Sequence, residues 1–212
     1  MSEPTARRRS PVLESEEHSY RDSVHAPKTV VDPRTHLVLA VASCDMNIGI
    51  ISDTHDNVEA IERATEIFEE EGVEIVIHCG DFIAPLMINY FDGFELHGVL
   101  GNNDGDVANL QAAFDSLGGE SELHGRFASL EFDGLSFAAL HGESLEEVEA
   151  IAAGETYDFV CYGHHHEREL SDEGRTTVLN PGAHVLAKSE ADRTIAVVDT
   201  RAGSVRFRSV EE

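Results

Sequence analysis

Lysine, cysteine and tryptophan are scarce in this chain, and the shortage of lysine is the most informative. Lys28 and Lys188 are its only lysines. Lysine and arginine together number 15 against 41 aspartates and glutamates, so the formal net charge at pH 7 is −26. A surface this acidic repels polyanions, which disfavours nucleic acid as a partner, although a bound divalent metal ion can reverse the field locally.

The excess of acidic residues has two interpretations. An acidic, lysine-poor surface resembles those of proteins from halophiles that accumulate salt, in which molar salt screens the repulsion between carboxylates. An ordinary acidic protein is the alternative. We adopt the first interpretation and expect a cytoplasmic protein of a halophilic microbe that needs high ionic strength to fold.

Cysteines and long apolar runs are also few. Cys44, Cys79 and Cys161 are odd in number and lack CxxC spacing, so no disulfide framework is indicated. The apolar run at residues 37–44, LVLAVASC, is too short to span a bilayer. It imitates a lipoprotein signal, but the segment before it is too long and too acidic for one. We therefore expect no membrane association.

The first 45 residues differ in character from the rest of the chain. Residues 1–45 contain four prolines, carry charges of both signs and lack sustained hydrophobic periodicity. We interpret them as a disordered extension or a mis-assigned start of the reading frame. The folded domain is predicted to occupy residues 46–212, and a protein starting at Met46 should keep its activity.

From Met46 onward, strand-like and helix-like segments alternate. The segments NIGIIS, NVEAIERATEIFEEEG and VEIVIHC predict a β-α-β unit, because the middle one has apolar residues at helical spacing. Helices are also predicted over APLMINYF, DVANLQAAFDSLGG and SLEEVEAIAAG. The pair Asp133-Gly134 predicts a hairpin between two further strands. A mixed α/β sandwich follows.

Polar residues follow each of the strand-like runs. In open α/β sheets, ligands bind beyond the carboxyl ends of the strands, so these loops are expected to meet at one edge. Asp53 and His55 are two residues apart, as are His164 and His166, and in extended backbone such residues point to the same side. The runs that end in Asp, Asn or His are IGIISDTH, IVIHCGD, GVLGNND, SFAALHG, FVCYGHHH and TVLNPG.

The polar residues of these loops form a set of potential metal ligands. It combines imidazoles, carboxylates and an amide oxygen without any thiolate, which suits two divalent ions such as Mn²⁺, Fe²⁺, Co²⁺, Ni²⁺ or Zn²⁺. The same set argues against copper(I) and against an iron–sulfur cluster. The predicted ligands are Asp53, His55, Asp81, Asn102, His141, His164 and His166.

The motifs DTH, GD, GNND, HG, GHHH and NPG, in this order, carry a resemblance to a known family. They resemble the signature of the calcineurin-like metallophosphoesterases, especially the small prokaryotic YfcE-like phosphodiesterase branch. The resemblance covers Met46 to about Val210. It implies a four-layer α/β/β/α sandwich of mixed sheets, with two metal ions at its edge.

The resemblance also implies how the ligands divide and what they do. One metal ion would take Asp53, His55 and His166, the other would take Asn102, His141 and His164, and Asp81 would bridge both. Asp81, Asn102 and His141 would also be the catalytic residues. The implied reaction is hydrolysis of a small phosphodiester by attack of a metal-bridging hydroxide on phosphorus, with Mn²⁺ as the first choice of metal. A homo-oligomer is compatible with this.

Two other functions remain open. One is a non-catalytic scaffold, because the retromer complex contains a subunit of this fold that works by protein contact; the complete ligand set disfavours it. The other is a metal-dependent nuclease, which the missing basic groove disfavours. One departure from the family pattern bears on the reaction, because Asn103 stands where many members carry a histidine suited to protonating the leaving group.

Several polar residues near these motifs are given structural roles. His78 and Cys79 are predicted to be packing residues, and His165 to be solvated or to lie behind the ligands. His184 is expected to lie near the site, where it could contact the substrate. Two further predictions are that His97 and His124 are satisfied or surface histidines, and that Asp56 and Asn57 cap the first helix.

Overall fold

The structure is a computed structural model that describes residues 46–211. The predicted extension over residues 1–45 lies outside the described residues. The strands are β1 (Asn47–Ile51), β2 (Val73–His78), β3 (Glu95–Gly98), β4 (Glu122–Leu123), β5 (Phe127–Phe132), β6 (Leu135–Leu140), β7 (Phe159–Cys161), β8 (Glu169–Glu173), β9 (Thr176–Asn180), β10 (Thr194–Asp199) and β11 (Ser204–Ser209). The helices are α1 (Val58–Glu70), α2 (Val107–Leu117) and α3 (Leu145–Ala153), with 3₁₀ segments at Pro85–Phe91 and Glu190–Asp192.

The strands form two mixed sheets. The six-stranded sheet has the order β11-β10-β1-β2-β3-β4, and the five-stranded sheet has the order β5-β6-β7-β9-β8. Strands β1 to β4 are parallel to one another, as are β6, β7 and β9, while the remaining neighbours pair antiparallel. Each sheet therefore has a parallel centre whose carboxyl ends share one edge.

Three apolar clusters divide the fold into four layers. Ile48 and Ile50 of the first sheet belong to the same cluster as Phe137 and Phe159 of the second, which places this core between the sheets. The outer face of the first sheet packs against α1 and α2, and that of the second packs against α3. The predicted α/β/β/α sandwich is confirmed.

The first β-α-β unit forms for the reasons that the sequence indicated. The buried residues of α1 recur at helical spacing, at Ala60, Ile61, Ala64, Ile67 and Phe68. The side chain of Asn57 caps this helix by accepting a hydrogen bond from the backbone N–H of Ala60 at 3.2 Å. The predicted hairpin is also confirmed, since β5 and β6 pair antiparallel around Asp133 and Gly134, both with positive φ.

Some local predictions were wrong or incomplete. Asp56 does not cap α1; its carboxylate accepts from the N–H of Ala84 at 2.8 Å instead. The segment predicted as a helix over APLMINYF is a 3₁₀ helix at Pro85–Phe91. Strand β8 was not predicted, because all of its residues are exposed and its sequence, ELSDE, shows no apolar alternation.

Candidate metal centre

The predicted ligands lie in loops that follow the parallel strands of both sheets. The loops after β1, β2 and β3 come from the first sheet, and those after β6 and β7 come from the second. They meet at the shared carboxyl edge, as expected for an open α/β sheet. In chain order these loops supply Asp53 and His55, Asp81, Asn102, His141, and His164 with His166.

Two groups of potential ligands form around Asp53. Asp53, His55 and His166 each offer one atom, and these atoms lie within 4.8 Å of one another. The same holds for Asp53, Asp81 and His141. The closest approach in the first group joins His166 Nε2 and Asp53 Oδ1 at 3.2 Å. This first group is the one that the resemblance assigned to one metal ion.

The remaining predicted ligands form a second cluster. Asn102 Oδ1 lies 3.1 Å from His141 Nε2 and 3.0 Å from His164 Nδ1. The two ring nitrogens are 3.3 Å apart. At these separations the three atoms are close enough together to contact a single divalent ion. The structure thus brings together the residues that the resemblance assigned to the other metal ion.

Asp81 lies between the two clusters. Its Oδ2 is 3.5 Å from His55 Nε2 and 3.4 Å from His141 Nε2. One carboxylate oxygen is thus nearly equidistant from an imidazole of each cluster. This position is compatible with the bridging role that the resemblance implies for Asp81, and metal ligation stays a prediction.

The hydrogen bonds of these residues leave ligand atoms free toward the centre. Asp53 Oδ2 accepts from the Ser52 hydroxyl at 2.6 Å and from the His164 N–H at 2.9 Å. Asp53 Oδ1 and His55 Nε2, however, are buried and have no hydrogen-bond partner within the described residues. Buried polar atoms are normally satisfied, and a cation at this point would satisfy both. The residues therefore fit a divalent metal ion.

Two of the imidazoles are oriented by backbone carbonyl groups. His141 Nδ1 donates to the carbonyl of Cys79 at 2.8 Å, and His166 Nδ1 donates to that of Leu186 at 3.2 Å. In each ring this leaves Nε2 facing the carboxylates. Metal-binding histidines are commonly held in this way, because the second nitrogen fixes the tautomer and the ring orientation.

The backbone of the ligand loops is not extended. The prediction that extended backbone makes residues two apart, such as His164 and His166, point to the same side was therefore wrong. Residues 53, 55, 81, 164 and 166 all have φ between 42° and 66°, in the left-handed region. Each costs on the order of 1–3 kcal/mol, which the surrounding structure must offset. Sharp turns at the strand ends cause this, and His164 and His166 consequently point into different clusters.

Both carboxylates are held in their charged form. Burial raises the pKa of Asp81, but hydrogen bonds from His141 and Asn103 outweigh it and lower the pKa to about 2. Burial also raises the pKa of Asp53, but the nearby imidazoles of His166 and His55 and the hydrogen bond from Ser52 bring it well below the ordinary value. The centre therefore holds two negative charges in buried surroundings.

The pKa values of the imidazoles are shifted in opposite directions. The carboxylate of Asp53, 3.2 Å from His166 Nε2, raises the pKa of His166. Burial tends to lower the pKa of His141, but its hydrogen bond with Asp81 raises it overall. Burial and the charge of His141 lower the pKa of His164. The carboxylates therefore favour the protonated forms of His141 and His166 relative to an ordinary histidine.

Asn103 and His165 lie beside the ligands. The backbone N–H of Asn103 donates to Asp81 Oδ1 at 2.9 Å, and its side-chain amide donates to Asp81 Oδ2 at 2.7 Å. His165 is half-buried, and its Nε2 donates to the carbonyl of Gly142 at 3.1 Å. Asn103 thus steadies Asp81, while His165 turns toward the protein backbone.

His78 is more than the packing residue that the sequence suggested. It is buried and stacks on Phe82 with 3.7 Å between ring centroids. The N–H of Gly80 donates to its Nδ1 at 3.1 Å, so its Nε2–H donates to Thr54 Oγ1 at 3.2 Å. Burial lowers the pKa of His78 to about 3, so this tautomer is neutral. The polar residue inside the apolar run VEIVIHC was the signal.

The other histidines lie as follows. His97 and His124 share a hydrogen bond of 3.0 Å, and His97 also bonds Glu95 at 2.8 Å, so the prediction of satisfied histidines is confirmed. His184 is only 4% exposed, and burial lowers its pKa to about 4. So little exposed surface disfavours the expected contact between His184 and a substrate.

Comparison with known proteins identifies the family. Residues 46–203 match the model of the calcineurin-like phosphoesterase superfamily domain. The chain belongs to this superfamily. Phosphodiesterase MJ0936 of Methanocaldococcus jannaschii is 38% identical over 157 residues, which cover 73% of this chain and 93% of that protein. The matched region of the family model begins at Met46.

Solved structures of calcineurin-like phosphoesterases share the fold. A structure described as a novel archaeal phosphodiesterase has a TM-score of 0.71 and 36% identity, covering 77% of this chain and 99% of its own. The phosphoesterase YfcE of E. coli has a TM-score of 0.56 at 17% identity, covering 78% and 100%. The second likeness supports the fold alone.

Proposed function

We propose that this calcineurin-like phosphoesterase is a phosphodiesterase that works with two divalent metal ions. The observation that carries the proposal is the place of Asp81, whose Oδ2 lies 3.5 Å from His55 and 3.4 Å from His141. Asp53, His55 and His166 would hold one ion, and Asn102, His141 and His164 would hold the other. Mn²⁺ is the first choice, with Ni²⁺, Co²⁺, Fe²⁺ and Zn²⁺ as alternatives.

Bound divalent ions would supply Lewis acidity, lowering the pKa of water and neutralising charge on a phosphoryl group. The chain's own residues prepare the site for that chemistry. Ser52 and the backbone of His164 occupy one oxygen of Asp53, which leaves the other for a ligand role. The carbonyls of Cys79 and Leu186 orient His141 and His166.

The choice of a diester over a monoester rests on two observations. A relative of 38% identity is named a phosphodiesterase. Asn103 occupies the place where many family members carry a histidine, and an amide cannot protonate a basic leaving group near neutral pH. A substrate with a stabilised leaving group needs less of that help. We therefore propose a small phosphodiester as the substrate.

The proposal is tested with bis-p-nitrophenyl phosphate in concentrated KCl. Protein treated with a chelator should be inactive, and added Mn²⁺ should restore turnover. A protein that binds metal ions and turns over neither this diester nor p-nitrophenyl phosphate would favour the scaffold function instead. Digestion of single-stranded DNA at high salt tests the nuclease, which the net charge of −26 disfavours.

We further propose that the protein works in the cytoplasm of a halophile. A homo-oligomer is compatible with this proposal. The support is the acidic, lysine-poor composition. None of the helices between residues 46 and 211 combines the length and apolar character that a membrane crossing requires. Activity in the soluble fraction of cells grown at high salt, and its absence from the medium, would test the location.

A further inference from the structure

A buried carboxylate outside the predicted ligand set holds the loop that carries Asp81. Asp104 is 7% exposed. Its Oδ2 accepts from the N–H of Asp81 at 2.9 Å and from that of Gly101 at 2.8 Å. Its Oδ1 accepts from the N–H of Ile83 at 2.9 Å. Hydrogen bonds to a charged carboxylate are roughly twice as strong as neutral ones.

The loop held by Asp104 is strained. Asp81 has φ of 61° and Ile83 has φ of 76°, both in the left-handed region. That conformation is a genuine outlier for a β-branched residue such as isoleucine. Strain of this kind, on the order of 1–3 kcal/mol per residue, persists only where surrounding contacts over-determine the backbone. The bonds from Asp104 to residues 81 and 83 are such contacts.

The two loops hold each other in place. Asp104 accepts a hydrogen bond from the backbone N–H of Asp81. The carboxylate of Asp81 in turn accepts hydrogen bonds from the backbone N–H and from the side-chain amide of Asn103. A Cβ atom at Gly101 would lie 2.1 Å from Asp81 Oδ1, so the backbones approach as closely as glycine permits. Displacement of Asp104 would therefore shift Asp81 and the neighbouring Asn102 together.

We propose that Asp104 is a positioning residue for the metal centre. It touches neither substrate nor metal ion, and it acts by keeping the strained Asp81 loop in the conformation that places Asp81 between the two ligand clusters. The proposal rests on the proposed function, since it assumes that the clusters bind metal ions. It explains why the carboxylate of Asp104 is buried against the backbone of Asp81.

The substitution Asp104→Asn tests this role. An asparagine keeps the size of the side chain but offers only one acceptor oxygen. It therefore loses either the hydrogen bond from the N–H of Ile83 or the two hydrogen bonds from the N–H groups of Asp81 and Gly101. The matched control is Asp158→Asn, which removes a carboxylate that accepts from the N–H and hydroxyl of Ser136 at 2.8 and 2.7 Å. Asp158 immediately precedes β7, at the end of the strand opposite to the one that carries the predicted ligands.

Calorimetric Mn²⁺ titration and steady-state kinetics on the full chain give the readouts. Loss of a residue that orients a metal ligand typically weakens metal affinity or activity about 10–100-fold. We expect Asp104→Asn to weaken Mn²⁺ binding to that degree and to lower kcat with little change in KM. Asp158→Asn should bind Mn²⁺ as the wild type does, even where both variants melt at similar temperatures.

Wild-type Mn²⁺ affinity and kcat in Asp104→Asn would overturn the positioning role, and so would equal losses of affinity in Asp158→Asn. Absence of Mn²⁺ binding in the wild type would instead overturn the proposed function.

If Asp104→Asn does not fold, the double variant Ile83→Gly, Asp104→Asn relieves the strain at position 83. Recovery of the fold without recovery of Mn²⁺ affinity supports the proposal, and recovery of both contradicts it.

Discussion

At the scale of single residues, the metal centre is a balance between buried carboxylates and imidazoles. Asp53 and Asp81 have lowered pKa values, and their carboxylates raise the pKa of His141 and His166. A proton and a divalent ion would compete for the same imidazole nitrogens. We therefore expect metal binding to release protons.

Metal affinity should depend on pH with a defined sign. The pKa of His141 and that of His166 are raised above 6.5, so protons compete with the metal at a pH where an ordinary histidine is largely neutral. Their pairing with carboxylates stabilises the metal-free fold below pH 6.5 and is lost as the pH rises through the raised pKa. We expect Mn²⁺ affinity to increase between about pH 6 and 8, with proton release detectable by calorimetry in two buffers. Affinity that stays constant over this range would contradict the account.

The leaving group should control the rate. Asn103 bonds to Asp81 through its amide and cannot act as a general acid, a loss that typically costs a factor of about 10²–10⁴ with basic leaving groups. We expect aryl phosphodiesters to be hydrolysed well, alkyl phosphomonoesters weakly, and the rate to fall steeply with leaving-group pKa. A flat series of substituted phenyl esters, or faster alkyl monoesters, would show that another group donates the proton.

At the scale of the elements, the close approach of strand ends builds the site. The loop after β7 comes so near to the loop after β1 that a Cβ at Gly163 would lie 1.8 Å from Ser52 Oγ and 2.6 Å from Asp53 Oδ2. The two strands belong to different sheets, so this contact joins the sheets at the metal edge. Glycine is required here because no side chain fits.

Gly163→Ala should therefore damage the site more than a typical surface change. Overpacking costs roughly 1–3 kcal/mol of stability, and the added methyl group pushes against Asp53. We expect Mn²⁺ affinity to fall about 10-fold or more. Gly105→Ala is the control, because a Cβ there meets no atom within 4 Å. Equal affinities in the two variants would show that the sheets tolerate a wider separation at this edge.

The sequence predicts which polar side chains meet at the sheet edge better than it predicts the backbone that presents them. Asp53 and His141 stand within two residues of the ends of apolar strands, which is a signal that a single sequence carries. The left-handed φ values of the ligand loops depend on bonds between distant segments, such as that from the N–H of Asp53 to the carbonyl of Gly80 at 3.0 Å. Asp104 was missed for the same reason, since its partners lie up to 23 residues away.

At the scale of the whole molecule, the net charge of −26 is the dominant property. Such a charge opposes compaction through self-repulsion, and screening by salt weakens that repulsion. Within the described residues, arginines form ion pairs with some of the carboxylates, for example Arg63 with Glu66 at 2.9 Å. Exposed pairs of this kind contribute little stability, so they offset little of the repulsion.

Stability should therefore rise with salt. We expect the melting temperature of the full chain to increase between low and molar KCl, because screening lowers the free energy of the compact state more than that of the unfolded chain. Sucrose at matched viscosity is the control for general solvent effects. A melting temperature that does not rise with KCl would count against a halophilic origin.

Asp81 is proposed to join two metal ions in one hydrolytic site. The most direct test measures bound Mn²⁺ and hydrolysis of bis-p-nitrophenyl phosphate in the same samples of wild type and Asp81→Asn. The wild type should bind two ions per chain and reach full turnover only when both are bound. Asp81→Asn should melt cooperatively yet lose nearly all turnover. Two bound ions and full turnover in Asp81→Asn would contradict the claim.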